Sequence, residues 1–417
     1  MAGIFRGWWV LAAATIGMGL GYSNIGVLSF GLFIVPLTTE FGWGRGEVSL
    51  AYTGMTYAMV FLAPLAGTLV DRLGVRRVLL PSIVLFALAI AGLSLVTASL
   101  LHLYVAYVLV AVLGAGTAPT TYTRTVVAWF NRRRGLAIGI AMAGVGLGGV
   151  LLPPLVQSLI AGFGWRTAYL ALAAMVVVVS LPTAWAWLWE SPAAFGLQPD
   201  ADDRPSALAA GPPPGFEFRD AVRTRAFRLM AAGFALFGIF TAATITHLVP
   251  LLQDRGLTAS QAALAASTMS LALVAGRLLS GVLLDRVPAP WVVVGFMSAP
   301  LAGLGLLLGG VAGSGAFGCA VLLGLGIGAE FDFMSYLVSR YMGLRAYGRM
   351  YGLMYSMFML GSGIGPLVMG YSQQTLGSYD RGLQIVLIVT LVGIVPFALL
   401  GKYPVLPGAE RLAPAGT

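Results

Sequence analysis

Twelve stretches of mostly apolar residues follow one another along the chain, each long enough to cross a bilayer as a helix, which takes about 20 residues. They fall at approximately 8–37, 47–70, 78–98, 102–130, 135–161, 166–189, 226–252, 259–284, 290–311, 315–342, 347–373 and 379–401. Of the 417 residues, 59% are hydrophobic and only 9% charged, against about 25% charged in a soluble domain. The chain therefore reads as an all-α integral membrane protein of twelve spans. The first apolar run starts after Arg6 and continues to Pro36. That is too long for a signal-peptide core, so it is expected to stay as an uncleaved first span.

The net charge of +9 does not point to nucleic acid, because the cations sit at the ends of apolar segments rather than in a basic, aromatic-rich stripe. Their distribution sets the topology. With both termini cytoplasmic, the inner side carries Arg6, Arg72, Arg76, Arg77, Arg132, Arg133, Arg134, the linker arginines, Arg286, Arg340, Arg345, Arg349, Lys402 and Arg411. The outer turns carry only Arg45, Arg166, Arg255 and Arg381.

One connection differs from the short turns. Residues 190–225 are polar and Pro-rich, a composition that buries no core, and read as a cytoplasmic linker. They separate an N-terminal six-helix half (1–189) from a C-terminal half (226–402), with a cytoplasmic tail at 403–417. The end of the linker, Phe216 to Arg228, is expected to form a basic surface helix. The halves repeat: Gly67–Arg72 (GTLVDR) returns 214 residues on as Gly281–Arg286 (GVLLDR), and Gly135, Gly139 and Pro153 return 213 on as Gly348, Gly352 and Pro366. Such repeats mark secondary transporters with a central site between the halves.

Two motifs carry a family resemblance. The run Gly67-Thr-Leu-Val-Asp71-Arg72-Leu-Gly74-Val-Arg76-Arg77 resembles the signature loop between helices two and three of the major facilitator superfamily. The resemblance implies that Asp71 meets a neighbouring helix N-terminus and that the arginines form inner-gate ion pairs, with Asp285 and Arg286 as the second copy. The stretch Trp129-Phe130-Asn131-Arg132-Arg133-Arg134-Gly135, followed by Gly139, Gly144 and Gly148, resembles the helix-five signature of monocarboxylate transporters, shared more loosely by oxalate/formate antiporters. The opening Arg6-Gly7-Trp8-Trp9-Val10 is similar to the start of the same families. Arg6 replaces the acid of animal members, which favours a bacterial branch and hence the cell inner membrane. Arg132–Arg134 read as a topology anchor and gate, and Gly135–Gly148 as packing surface at the join of the halves.

Four ionisable residues fall inside spans: Arg124, Arg277, Glu330 and Asp332. A charge at mid-bilayer costs about 3 kcal/mol on insertion scales, so such residues face the protein interior and are functional candidates. Arg124, Arg277 and Asp332 each precede the inner end of their span by eight residues (Arg132, Asp285, Arg340), a rise of about 12 Å. On span four, Thr117, Thr120, Thr121 and Arg124 share a face; on span ten, Asp332, Ser335, Tyr336 and Ser339 do. Glu330 points elsewhere, among Phe333, Met334 and Leu337, and is expected to be protonated or paired with a neighbouring helix. By position, Arg277 resembles the helix-eight arginine that holds the substrate carboxylate in these families. A guanidinium fork matches a carboxylate bidentately; a permanent salt bridge to Asp332 is the open alternative.

The departures are informative. Leu273 stands where animal monocarboxylate transporters carry an aspartate, and the single lysine is Lys402. Arg124 is then the available second cation and Asp332 the replacement proton carrier, with Glu330 beside it. Tyr22, Asn24, Thr121, Tyr336 and Tyr355 complete the candidate pocket, with Thr244, His247 and Tyr351 as lesser candidates. His247 reads as a hydrogen-bonding residue rather than a proton carrier. No nucleotide-binding loop is possible around Lys402, and two histidines and Cys319 make no metal cluster. Neither cofactor, metal, nucleic acid nor enzymatic activity is expected. The expectation is a monomeric carrier of a small organic anion, a monocarboxylate, by alternating access with proton symport. The alternatives are anion exchange, drug or metabolite efflux, and a sensor that keeps the transporter fold.

Overall fold

The computed structural model describes residues 5–201, 214–311 and 313–408. Linker residues 202–213, the tail from 409 with Arg411, and the side chain of Arg45 lie outside the described residues. The described chain is helical almost throughout. It divides into two compact units: Met1–Gly215 with Gly343–Leu353 and Pro407–Thr417, and Phe216–Met342 with Met354–Leu406. The first holds α1 (Arg6–Gly19), α2 (Phe30–Phe41), α3 (Arg45–Leu73), α4 (Val75–Leu93), α5 (Leu100–Gly114), α6 (Pro119–Trp129), α7 (Arg134–Met175) and α8 (Leu181–Trp187). The second holds α9 (Phe218–Ala221), α10 (Arg225–Asp254), α11 (Ala259–Leu284), α12 (Ala289–Leu308), α13 (Gly315–Gly328), α14 (Glu330–Tyr341), most of α15 (Tyr347–Leu376) and α16 (Asp380–Ala398).

Eleven segments among the described residues are long and apolar enough to cross a membrane. The longest, Arg134–Trp187, has 54 residues and as one helix would extend about 80 Å at 1.5 Å per residue. Gly164 interrupts it with φ 82°, a left-handed geometry open to glycine without strain. The sequence places a turn at the same point, between 161 and 166.

Three apolar stretches that read as continuous are broken. The first is α1, a gap at Leu20–Gly21, a π-helical turn at Tyr22–Leu28, then α2. The fourth is α5, a 3-10 turn at Ala115–Thr117, then α6. Ala118 takes an extended backbone (φ −69°, ψ 158°), as residues before proline do, and Pro119 opens the next helix where a missing N–H costs nothing. The tenth stretch breaks at Ala329, between α13 and α14. Gly116 plus the 213-residue repeat offset is 329, so this interruption is repeated in both halves.

Two expectations are corrected here. Gly144 and Gly148, expected as packing surface at the join of the halves, seat α7 on α1. A Cβ at Gly144 would strike the backbone of Thr15, and one at Gly148 would strike Gly19 O and the Asn24 amide. The four-residue spacing of Thr15 and Gly19 matches that of Gly144 and Gly148, so one turn of each helix meets the other backbone to backbone. In the second unit Gly361, 213 residues after Gly148, meets Ala235 O of α10.

The linker also departs from its composition. Its first residues fold against the first unit, with Phe195 as their aromatic contact. Trp129 Nε1 donates to Trp189 O at 2.7 Å, Phe195 lies 5.1 Å from the Trp189 ring, and Arg6 sits 4.4 Å over Phe195. Asp200 accepts the N–H groups of Asn131 (2.8 Å) and Arg132 (2.5 Å), tying the linker to the turn before α7. The basic helix expected over 216–228 shrinks to the four residues of α9. Thr224 then caps α10, accepting Phe227 N–H at 3.1 Å.

Candidate functional site

In the second unit, α11 and the break before α14 bring the sequence candidates together. Arg277 is 4% exposed and Asp332 fully buried. Ser280, one turn after Arg277, donates to Asp332 Oδ2 at 3.3 Å. Asp332 Oδ1 accepts no hydrogen bond among the described residues, and the Arg277 guanidinium is near enough for its charge to act on both Asp332 and Glu330. The break at Ala329 puts Glu330 and Asp332 on the first turn of α14, where the free amides and the helix dipole favour carboxylates. Glu330 is paired with a neighbouring helix, as expected: Thr241 of α10 donates to its Oε2 at 2.8 Å. Tyr336 is buried beneath Arg340, 5.2 Å from the guanidinium. Tyr355 packs near Phe331, ring centroids 5.8 Å apart. His247 bonds the Tyr379 hydroxyl (3.3 Å) and Pro366 O (3.2 Å).

In the first unit the Asp71 carboxylate meets a helix N-terminus, the part of the resemblance that concerns this residue. Asp71, at the end of α3, accepts the N–H of Gly348 (3.0 Å) and of Arg349 (2.9 Å), the first amides of α15. Gly67, one turn earlier, has no room for a Cβ against Gly348 O. Arg124 joins this group, its Nε 3.6 Å from Asp71 Oδ1, so the structure places it with Asp71. Helical rise gives the level of a Cα only, and a long arginine side chain can carry its charge a further turn along the helix. Gly74 has φ 89°, joining α3 to α4. Arg76 donates to Trp185 O at 2.7 Å and lies 4.2 Å over Trp189. Arg134 is buried and bonds Phe130 O at 3.1 Å. Arg72, Arg132, Arg133 and Arg286 are exposed, and Asp285 caps α11.

Tyr22 and Asn24 are drawn into the break in the first apolar stretch. Tyr22 N–H donates to Thr117 Oγ1 (3.2 Å) and its hydroxyl to Met55 O (3.3 Å). The Asn24 amide caps the end of α1, donating to Met18 O (3.3 Å) and Gly19 O (2.8 Å). Thr121 is fully buried, and its hydroxyl has no partner among the described residues. Sequence reasoning missed Thr241, Phe331 and Asp200. A lone threonine on an apolar helix and a lone acid in a linker carry no periodic signal; only the Gly-rich ends of α5 and α13 hint that something breaks there.

Comparison with known proteins agrees with this architecture. The Major Facilitator Superfamily is matched over residues 11–366. Monocarboxylate transporter 11 of Mus musculus is 30% identical over 90% of this chain and 83% of its own. Monocarboxylate transporter 13 of Bos taurus is 29% identical over 89% and 84%. Among solved structures, the E. coli fucose:proton symporter FucP aligns with a TM-score of 0.71 at 15% identity, covering 94% of this chain and 98% of that one. The chain belongs to the major facilitator superfamily of membrane transporters and is related to its monocarboxylate transporters.

Proposed function

We propose that the chain carries a small organic anion, a monocarboxylate, across the cell inner membrane by alternating access with proton symport. It does so as a monomer of twelve crossings with both termini cytoplasmic. The halves are 1–189 and 226–402, joined by the linker at 190–225 and followed by the tail. The observation that carries this reading is the buried Arg277 beside two buried carboxylates, Asp332 and Glu330. A guanidinium with that geometry can present its fork to a carboxylate. A buried charge without its counter-charge is costly. Substrate taking Arg277 leaves Asp332 to be neutralised by a proton, so anion and proton enter together. The names of the related monocarboxylate transporters support the substrate class. Glu330, held by Thr241, is the reserve candidate for the proton. Arg124, Asp71 and the arginines of the inner turns form the gate.

Proteoliposome uptake of labelled pyruvate under an inward proton gradient tests the reading; absence of saturable uptake of any monocarboxylate sinks it. Asp332→Asn fixes a neutral side chain of the same shape. Acid-stimulated uptake should disappear, while exchange of internal for external anion continues, because exchange needs no net proton movement. Unchanged pH dependence in this variant moves the proton site elsewhere.

A further inference from the structure

The two broken stretches of the first unit meet. Tyr22 N–H donates to Thr117 Oγ1 across them, and a side chain at Gly21 would meet Thr117 O. Each break exposes helix ends. The carbonyl end of α1 is capped by Asn24. The amide end of α6 has no such cap: Ala118 offers no side-chain acceptor, Pro119 follows, and no acid stands in the first turn. Thr121 N–H returns to Ala118 O there, at 3.1 Å.

The second unit shows what this helix end usually holds. The equivalent break precedes α14, whose first turn carries Glu330 and Asp332. Subtracting the repeat offset, 332 minus 213 is 119, so Asp332 corresponds to Pro119. One half supplies its own carboxylates to its buried helix N-terminus, and the other supplies none. Thr121 gives the second sign. It sits in the first turn of α6, where Cα–Cβ bonds tilt toward the amino end, and its fully buried hydroxyl has no partner among the described residues. A buried hydroxyl left without a protein partner calls for strain, an ordered water or a bound group to account for it.

We propose that the amino end of α6, with the Thr121 hydroxyl, is a recognition point for a carboxylate oxygen of the transported anion. Helix N-termini at breaks in transporter helices bind anionic groups by their dipole and free amides. This site rests on the organic-anion reading above but not on Arg277.

The test is ligand-induced thermal stabilisation of the purified full-length protein by sodium pyruvate and sodium benzoate, with benzamide as the uncharged control. In Thr121→Val the stability without ligand should be equal or higher, because an unmet buried hydroxyl has been removed. Apparent carboxylate affinity should fall about tenfold or more, the scale of a hydrogen bond to a charged group. Thr121→Ser should restore it, and Thr121→Ala should repeat the loss. Wild-type affinity in both Val and Ala variants overturns the site while leaving the anion reading intact, as does a loss confined to stability without ligand. If neither carboxylate stabilises the wild type, the anion reading fails and this site falls with it.

Discussion

Arg277→Lys should reduce the catalytic efficiency of monocarboxylate uptake by about a hundredfold while the protein still folds. The charge is kept, so Asp332 and Glu330 are not left buried beside a neutral residue, and the insertion cost of the span is unchanged. What is lost is the planar fork. A charged hydrogen bond contributes about 1.5–3 kcal/mol, and losing one of two at about 1.4 kcal/mol per tenfold gives a factor between ten and more than a hundred. The shorter, more strongly hydrated ammonium also sits less readily in a dry site. Arg277→Ala is a different experiment. Removing one partner from a buried charged group costs about 3–5 kcal/mol, so that variant should express poorly, and its inactivity would say little about substrate. Uptake kinetics of the lysine variant, normalised to folded protein, decide the matter. Near-normal saturable uptake would remove Arg277 from the site.

The sequence was most readable where periodicity and charge placement act over a whole span. The repeat at 213–214 residues and the position of Gly164 needed only spacing and composition; the Asp71 contact came from the family resemblance of its loop. Arg277, Asp332 and Glu330 were marked by the cost of charge in a membrane, and the structure brings all three together. Periodicity fixes the face of a helix but not its neighbour. Arg124 shares a face with Thr117 and Thr121, yet its side chain runs to Asp71. The glycines after Arg134 have the spacing of a packing seam, but that spacing suits any small-residue partner, and the partner is α1. Helix breaks were hidden because hydropathy averages over about 20 residues and the broken residues (Leu20, Ala115, Ala329) are apolar. Phe195 and Asp200 were hidden by the opposite averaging, in which a polar segment conceals two residues that dock it.

Gly148→Leu should abolish recovery of folded protein. The position lies where α7 meets α1, and the added Cβ would overlap Gly19 O and the Asn24 amide. Overpacking a core costs about 1–3 kcal/mol when side chains can yield, and here one obstacle is backbone. The other is the cap itself. Displacing Asn24 strips Met18 O and Gly19 O of their donor, and each unmet buried group costs about 1–3 kcal/mol more. Together these approach the 5–15 kcal/mol, roughly, that holds a domain folded. Gly318 in α13 is the control: a Cβ there has nothing within 4 Å, and leucine replaces glycine in a helix with a gain of about 0.8 kcal/mol in propensity. Gly318→Leu should therefore elute as wild type with an equal or higher melting temperature. Gly361→Leu, which meets Ala235 O in the other unit, should fail as Gly148→Leu does. If Gly148→Leu gives a monodisperse, wild-type-stable carrier, α1 and α7 do not pack through this seam. The broken first stretch would then lose its anchor, and with it the geometry that leaves the end of α6 open to an anion.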